Sequence, residues 1–230
     1  MTDASALLYL LQVANGNFPT GSFSHSYGLE TLTQEGRITD AQSLADVVHP
    51  WLRHAVATSD GAAVALALRA TRENDFAALA ELDELLTALR LTRETREASI
   101  KIGHAFVRAA WSAFGWERIG RYGRAMAEGW CVGHHATAFG VAAADAGVSA
   151  QEAVMAFLHS GLYSVVSVAA RIVPLGQVDA QRVVARSWPL IVECTDAALG
   201  LGLEDLSVSA AFLDVASMRH EQLYSRLCMS

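Results

Sequence analysis

Between Glu152 and Arg171 lie 18 residues, AVMAFLHSGLYSVVSVAA, without a formal charge. A run of that length is either a membrane span or the central helix of a folded core, and the choice decides what everything around it must do. His159, Gly161, Tyr163 and three serines (Ser160, Ser164, Ser167) make it poorer to transfer into hydrocarbon than a Leu/Ile/Val span. We therefore read it as a buried helix. The pair Ser149 and Glu152 has the spacing of a capping box at its start, and Pro174 with Gly176 closes it. A helix apolar on nearly every side needs other elements around it.

The rest of the chain supplies helices. Leu7, Leu10, Leu11 and Ala14 recur at helical spacing before Gly16, and a second helix is expected from Ser24 to Glu35, stopping at Gly36. Thr39 and Gln42 form a T-x-x-Q cap before the stripe Leu44, Val47, Val48, Trp51, Leu52 and Ala55, which Pro50 should kink or split. Further helices are expected over 60–71, along Phe76, Leu79, Leu82, Leu86 and Leu89, over 93–114 and 133–146, over 180–199 with a kink at Pro189, and over 208–227. The glycine-rich GWERIGRYG at 115–123 is the expected flexible excursion, too short to link two folding units. No strand pattern, fixed-period repeat or composition break stands out. With 230 residues and 52% hydrophobic side chains, the expectation is an all-α fold of about ten helices, one domain over 1–230.

Several function classes drop out. A net charge of -7 without a basic stripe argues against nucleic acid or an anionic membrane as partner. Lys101 is the only lysine and precedes Ile102, so the chain has no GK[ST] tripeptide and is not itself a P-loop NTPase. Cys131, Cys194 and Cys228 are odd in number and far apart, which suits reduced thiols. MTDASALLYL has no basic segment before its apolar run, so a cytoplasmic protein is expected.

Catalytic motifs are also missing. His220-Glu221 begins H-E-x-x-H, but position 224 is tyrosine, and neither G-x-S-x-G nor G-x-G-x-x-G occurs. The best metal candidates are Cys131, His134 and His135, where a thiolate and an imidazole three apart offer a soft divalent ion two or three ligands. Nothing completes that set, so packing at a helix start is the favoured reading, with a helical metal-binding protein or metalloenzyme as the alternative. His49 and His54 are about 140° apart around a helix and make poor co-ligands. Within RETRE at 93–97, Arg93 and Glu97 are spaced for an i,i+4 pair on a solvated face.

Two stretches are more specific. NFPTGSFSHSYGLE at 17–30 combines a turn at Pro19 and Gly21, hydroxyls able to cap the next helix, Gly28, and a lone carboxylate, Glu30, one turn beyond Ser26. SMRHEQLYSRL at 217–227 crowds arginines, a histidine, a glutamate and a tyrosine, the composition of a segment that orders on a partner.

Together, FPTGSFSHSYGLE at 18–30, ETRE at 94–97 with Gly103, Ala105 and Phe106, RIVPLGQ at 171–177, and ASMRHEQLYSRL at 216–227 resemble the urease accessory protein UreF family, in the family's order and over nearly the whole chain. The resemblance implies an all-α, dimer-forming scaffold with no activity of its own. It implies partnership with the accessory protein UreD, the GTPase UreG and apo-urease. Nickel would be in transit, GTP would sit on the partner only, and no cofactor would be bound stably. It implies that Arg219, His220, Glu221, Tyr224, Arg226, Arg171 and Gln177 contact partners or the dimer mate, and that Glu30 and Ser26 line a nickel passage. After Leu227 the chain departs from the family, reading Cys228-Met229-Ser230 where Phe and Arg are commoner.

Overall fold

The computed structural model describes residues 3–229, so residues 1, 2 and 230 of the expected domain lie outside the described residues. Along the chain, α1 covers Asp3–Val13, α2 Leu29–Gln34, α3 Ala41–Trp51, α4 Ala62–Glu73, α5 Phe76–Leu89 and α6 Arg93–Phe114. Then come α7 Glu117–Ala127, α8 His135–Asp145, α9 Ala150–Ile172, α10 Gln177–Arg186, α11 Trp188–Leu199 and α12 Ala211–His220. A π-helical segment, Leu52–Gly61, joins α3 to α4, and 3-10 turns occur at Ser22–Ser24 and Leu203–Asp205. No strand occurs among the described residues, so the fold is all-α.

The uncharged run is α9. By length and composition it could cross a membrane, but it serves as core: Val154, Leu158, Leu162, Val165, Val166, Val168 and Ala169 are buried, packed on α4, α10 and α11. Its capping box forms in both directions between Ser149 and Glu152. Alanines let the neighbours come close: α4 lays Ala62, Ala63 and Ala67 against Ala138 and Ala142 of α8. One glycine is required outright. A Cβ on Gly103 of α6 would stand 2.0 Å from the Gly133 carbonyl oxygen, so no other residue lets α6 lie against the start of α8.

Several boundaries differ from the sequence expectation. The cap of α3 is Asp40 with Ser43, not Thr39 with Gln42: Asp40 directly precedes the first helical residue, Ala41, and its carboxylate accepts from the Ser43 amide at 2.8 Å while the Ser43 hydroxyl accepts from the Asp40 amide. Pro50 lies inside α3, which does not stop there but passes after Trp51 into the π-helical segment, whose wider turn follows closely on the hydrogen bond that proline cannot make. GWERIGRYG is mostly helix, α7, held by buried Ile119 and Tyr122. The helix expected over 180–199 is two, broken at Ser187, whose hydroxyl lies 2.8 Å from His49 Nε2. On α1 the inward residues are Tyr9, Leu10 and Val13, leaving Leu7 and Leu11 exposed. Instead of one helix from Ser24 there is a 3-10 turn, then α2 from Leu29. The last helix stops at His220, seven residues short of Leu227. Arg93 pairs with Glu221 and Glu97 with Lys101, rather than with each other.

Candidate functional site

The last two differences belong together. Beyond α12 the chain turns on bonds from the Gln222 amide to the Arg219 carbonyl and from the Leu223 amide to the His220 carbonyl. Residues 221–229 then run back as a strap without helix, across α2 and the 17–30 loop. Such a strap cannot satisfy its own amides, so it must borrow acceptors. Glu30 supplies them: Oε1 accepts from the Leu227 amide at 2.7 Å and Oε2 from the Cys228 amide at 2.9 Å. The Met229 amide donates to the Ser24 carbonyl at 2.8 Å, and Gln34 Nε2 to the Ser225 carbonyl at 3.4 Å.

Glu30 is positioned by its own loop. Gly28 sits at φ 88° with the α12 backbone against it, where an added Cβ would stand 3.0 Å from the Leu213 carbonyl oxygen. That crossing aims the first turn of α2 at the strap. Ser26 Oγ accepts the Glu30 amide at 3.4 Å. Gly21 supplies the left-handed residue of the turn after exposed Pro19.

The electrostatics reinforce the geometry. Glu30 Oε2 also lies 3.1 Å from His220 Nε2, and His220 Nδ1 lies 2.8 Å from Glu94 Oε2. Glu94 Oε1 accepts from Arg226 at 3.1 Å. Burial pushes the Glu30 carboxyl pKa up, but the Leu227 and Cys228 amides and His220 outweigh it and leave it below the usual carboxylate range. Burial, with the Glu30 charge beside it, drives the Cys228 thiol up to about 11.

The residues named from sequence divide clearly. His220 is fully buried under the strap, whereas Arg219, Glu221, Tyr224 and Arg226 are exposed, with Arg219 on Glu35 and Glu221 on Arg93. Tyr224, Leu227 and Met229 face outward, as does Phe23 of the 17–30 loop. Exposed Arg171, at the end of α9, donates to the Phe23 carbonyl and braces that loop, and Gln177 is exposed at the start of α10. Arg171 thus joins the strap region.

A cavity of about 150 Å³ lies beside the π-helical segment, lined among others by Tyr27, Trp51, Asp60, Arg90, His135 and Ser164. Asp60 and Arg90 form an ion pair on its wall. Ser22 and Tyr27 of the 17–30 loop line it, whereas Glu30 and Ser26 do not.

Cys131 and His134 sit around a different centre, Asp83, whereas His135 packs among Phe106, Phe139 and Phe157. The buried Asp83 carboxylate accepts from Tyr122 Oη at 2.7 Å and from the Gly133 and His134 amides at 2.7 and 3.2 Å. Both His134 ring nitrogens face hydroxyls, of Ser99 and Thr87. Burial drives the His134 pKa down to about 3 and that of His135 to about 4, and raises the Cys131 thiol to about 11. A thiol so reluctant to ionise is a poor metal ligand. Among the described residues no three His, Cys, Asp or Glu side chains are arranged to hold a metal ion. Sequence reasoning passed over Asp83, although a carboxylate among Leu79, Leu82 and Leu86 on an apolar stripe was the signal.

The sequence model described as UreF matches residues 38–187. The chain is 35% identical over 224 residues to the urease accessory protein UreF of Bacillus sp. (strain TB-90), covering 97% of this chain and 99% of that protein. It is 31% identical over 230 residues to the protein of the same name from Geobacillus kaustophilus (strain HTA426), covering 100% of each. With that of Rhodopseudomonas palustris (strain BisB5), identity is 37% over 234 residues, covering 99% of this chain and 93% of the relative. The strap lies beyond the matched family segment but within the alignment to the Geobacillus kaustophilus protein, which covers all of this chain.

Proposed function

The chain belongs to the UreF family of urease accessory proteins, and from that premise we propose that it is a non-catalytic scaffold of urease maturation. It joins UreD and UreG on apo-urease, where nickel passes in transit and GTP is bound and hydrolysed on UreG alone. It works as a homodimer in the cytoplasm. The observation that carries this reading is the seated strap: Tyr224 is fully exposed, with Leu227, Met229 and Phe23 outward beside it. Aromatic and arginine side chains displayed on a fixed backbone make strong anchors, because little entropy remains to be lost when a partner arrives.

The test is light scattering after size exclusion of the chain co-expressed with UreD and UreG. Tyr224 is fully exposed, so Tyr224→Ala should leave thermal unfolding unchanged and weaken assembly by at least about 30-fold, the size of a hot-spot loss. Arg219→Ala should act in the same direction. Full assembly by both variants would remove these residues from the docking surface.

A further inference from the structure

His220 ends α12 with its side chain fully buried between two carboxylates. Glu30 Oε2 faces one ring nitrogen at 3.1 Å and Glu94 Oε2 the other at 2.8 Å. A neutral imidazole carries a single N–H, so it donates to one carboxylate and turns a lone pair on the other. Only imidazolium donates to both. Both contacts are therefore donated at once only when the imidazole carries a second proton, which the three buried groups then share.

The charges around this triad come from every neighbouring element. From α6, Arg93 pairs with Glu221 of the strap. Arg226 of the strap donates to the second Glu94 oxygen, and Arg219 on the outer side of α12 pairs with Glu35 after α2. The Cys228 thiol lies against Glu30, with Arg171 of α9 nearby. Among the described residues His220 faces both carboxylates, and Glu30 carries the Leu227 and Cys228 amides of the strap.

We propose that Glu30, His220 and Glu94 form a proton-operated latch: with the shared proton in place the strap 221–229 is seated, and loss of that proton to water releases it. Release lifts the Leu227 and Cys228 amides from Glu30 and dissolves the surface that carries Tyr224, Leu227 and Met229. The device does not depend on which partner uses that surface.

The experiment is amide hydrogen exchange with mass spectrometry on the full chain, each rate divided by its intrinsic rate at that pH. The strap peptide is compared with a peptide from α9. Between about pH 6 and about pH 9, which brackets the range where imidazole charge changes, strap protection should fall at least about tenfold while that of α9 holds. The variant Glu94→Gln is the decisive control. Its amide oxygen still accepts from Arg226, and its NH2 donates to Nδ1 of a neutral imidazole that donates from Nε2 to Glu30. The variant should therefore keep the strap protected at both pH values. Equal protection of the wild-type strap at both values overturns the proposal, as does a fall shared with α9. So does a Glu94→Gln strap that titrates like wild type or is unprotected throughout.

Discussion

At the scale of single residues, the buried carboxylates divide by what surrounds them. Asp83 is pushed up by burial, which its hydrogen bonds do not fully offset, whereas Glu30 ends below its ordinary range. Asp83→Ala would strand the Tyr122 hydroxyl and two amides, and urea unfolding should show a loss of about 3 kcal/mol or more. The pH dependence has a definite sign. With its folded pKa raised, Asp83 costs stability while ionised, and that cost disappears as pH falls through the raised value. Wild type should therefore gain on Asp83→Asn between about pH 7 and about pH 5 in urea titrations. Glu30 acts the other way: its lowered pKa contributes stability that is lost as pH falls below the ordinary carboxylate range. Neither placement was legible in sequence beyond the residue's oddity. Glu30 stood out as a lone carboxylate after a hydroxyl-rich turn, but its ligands come from residues 197 and 198 positions away.

At the scale of elements, local signals read well and distant ones did not. α5 runs along the stripe from Phe76 to Leu89 and α6 over 93–114, as expected, because an apolar period is written within a few residues; Asp75 and Thr92 cap them. The strap read as helix because Leu223 and Leu227 continue the period of α12, and nothing nearby reveals that Glu30 outcompetes the helical bonds. The π-helical segment was invisible for a related reason: Pro50 says that a bond is missing but not how the next turns absorb it. Two glycines test how tightly the elements meet. Gly103→Ala forces a methyl into the Gly133 carbonyl and should lower thermal stability by about 2 kcal/mol or more. Gly161→Ala, in α9 with no atom within 4 Å of the new carbon, should raise it by about 0.5–1 kcal/mol. If the two variants unfold at the same temperature, the close approach of α6 and α8 is not as described.

At the scale of the whole molecule, the all-α class followed from pattern and composition, while the outer surface did not. Leu7, Leu8 and Leu11 of α1, with Trp111, Trp130 and Trp188, are each more than half exposed, and large apolar side chains left on an outer surface suit a second copy. Sedimentation equilibrium should accordingly give twice the 24.6 kDa chain mass at micromolar concentration. A single-chain mass at every concentration would count against the homodimer. The bond from the Leu227 amide to Glu30 spans 197 residues and sets a schedule as well as a shape. A ribosome adding about 5–20 residues per second needs about 10–40 s between making one partner and the other. Through that interval the carboxylate meant for burial stays wet and the loop beside it lacks its cover. The proposed docking face thus cannot exist until the strap has been made, well after Glu30, and a partner that reads it recognises a chain whose distant segments have already met.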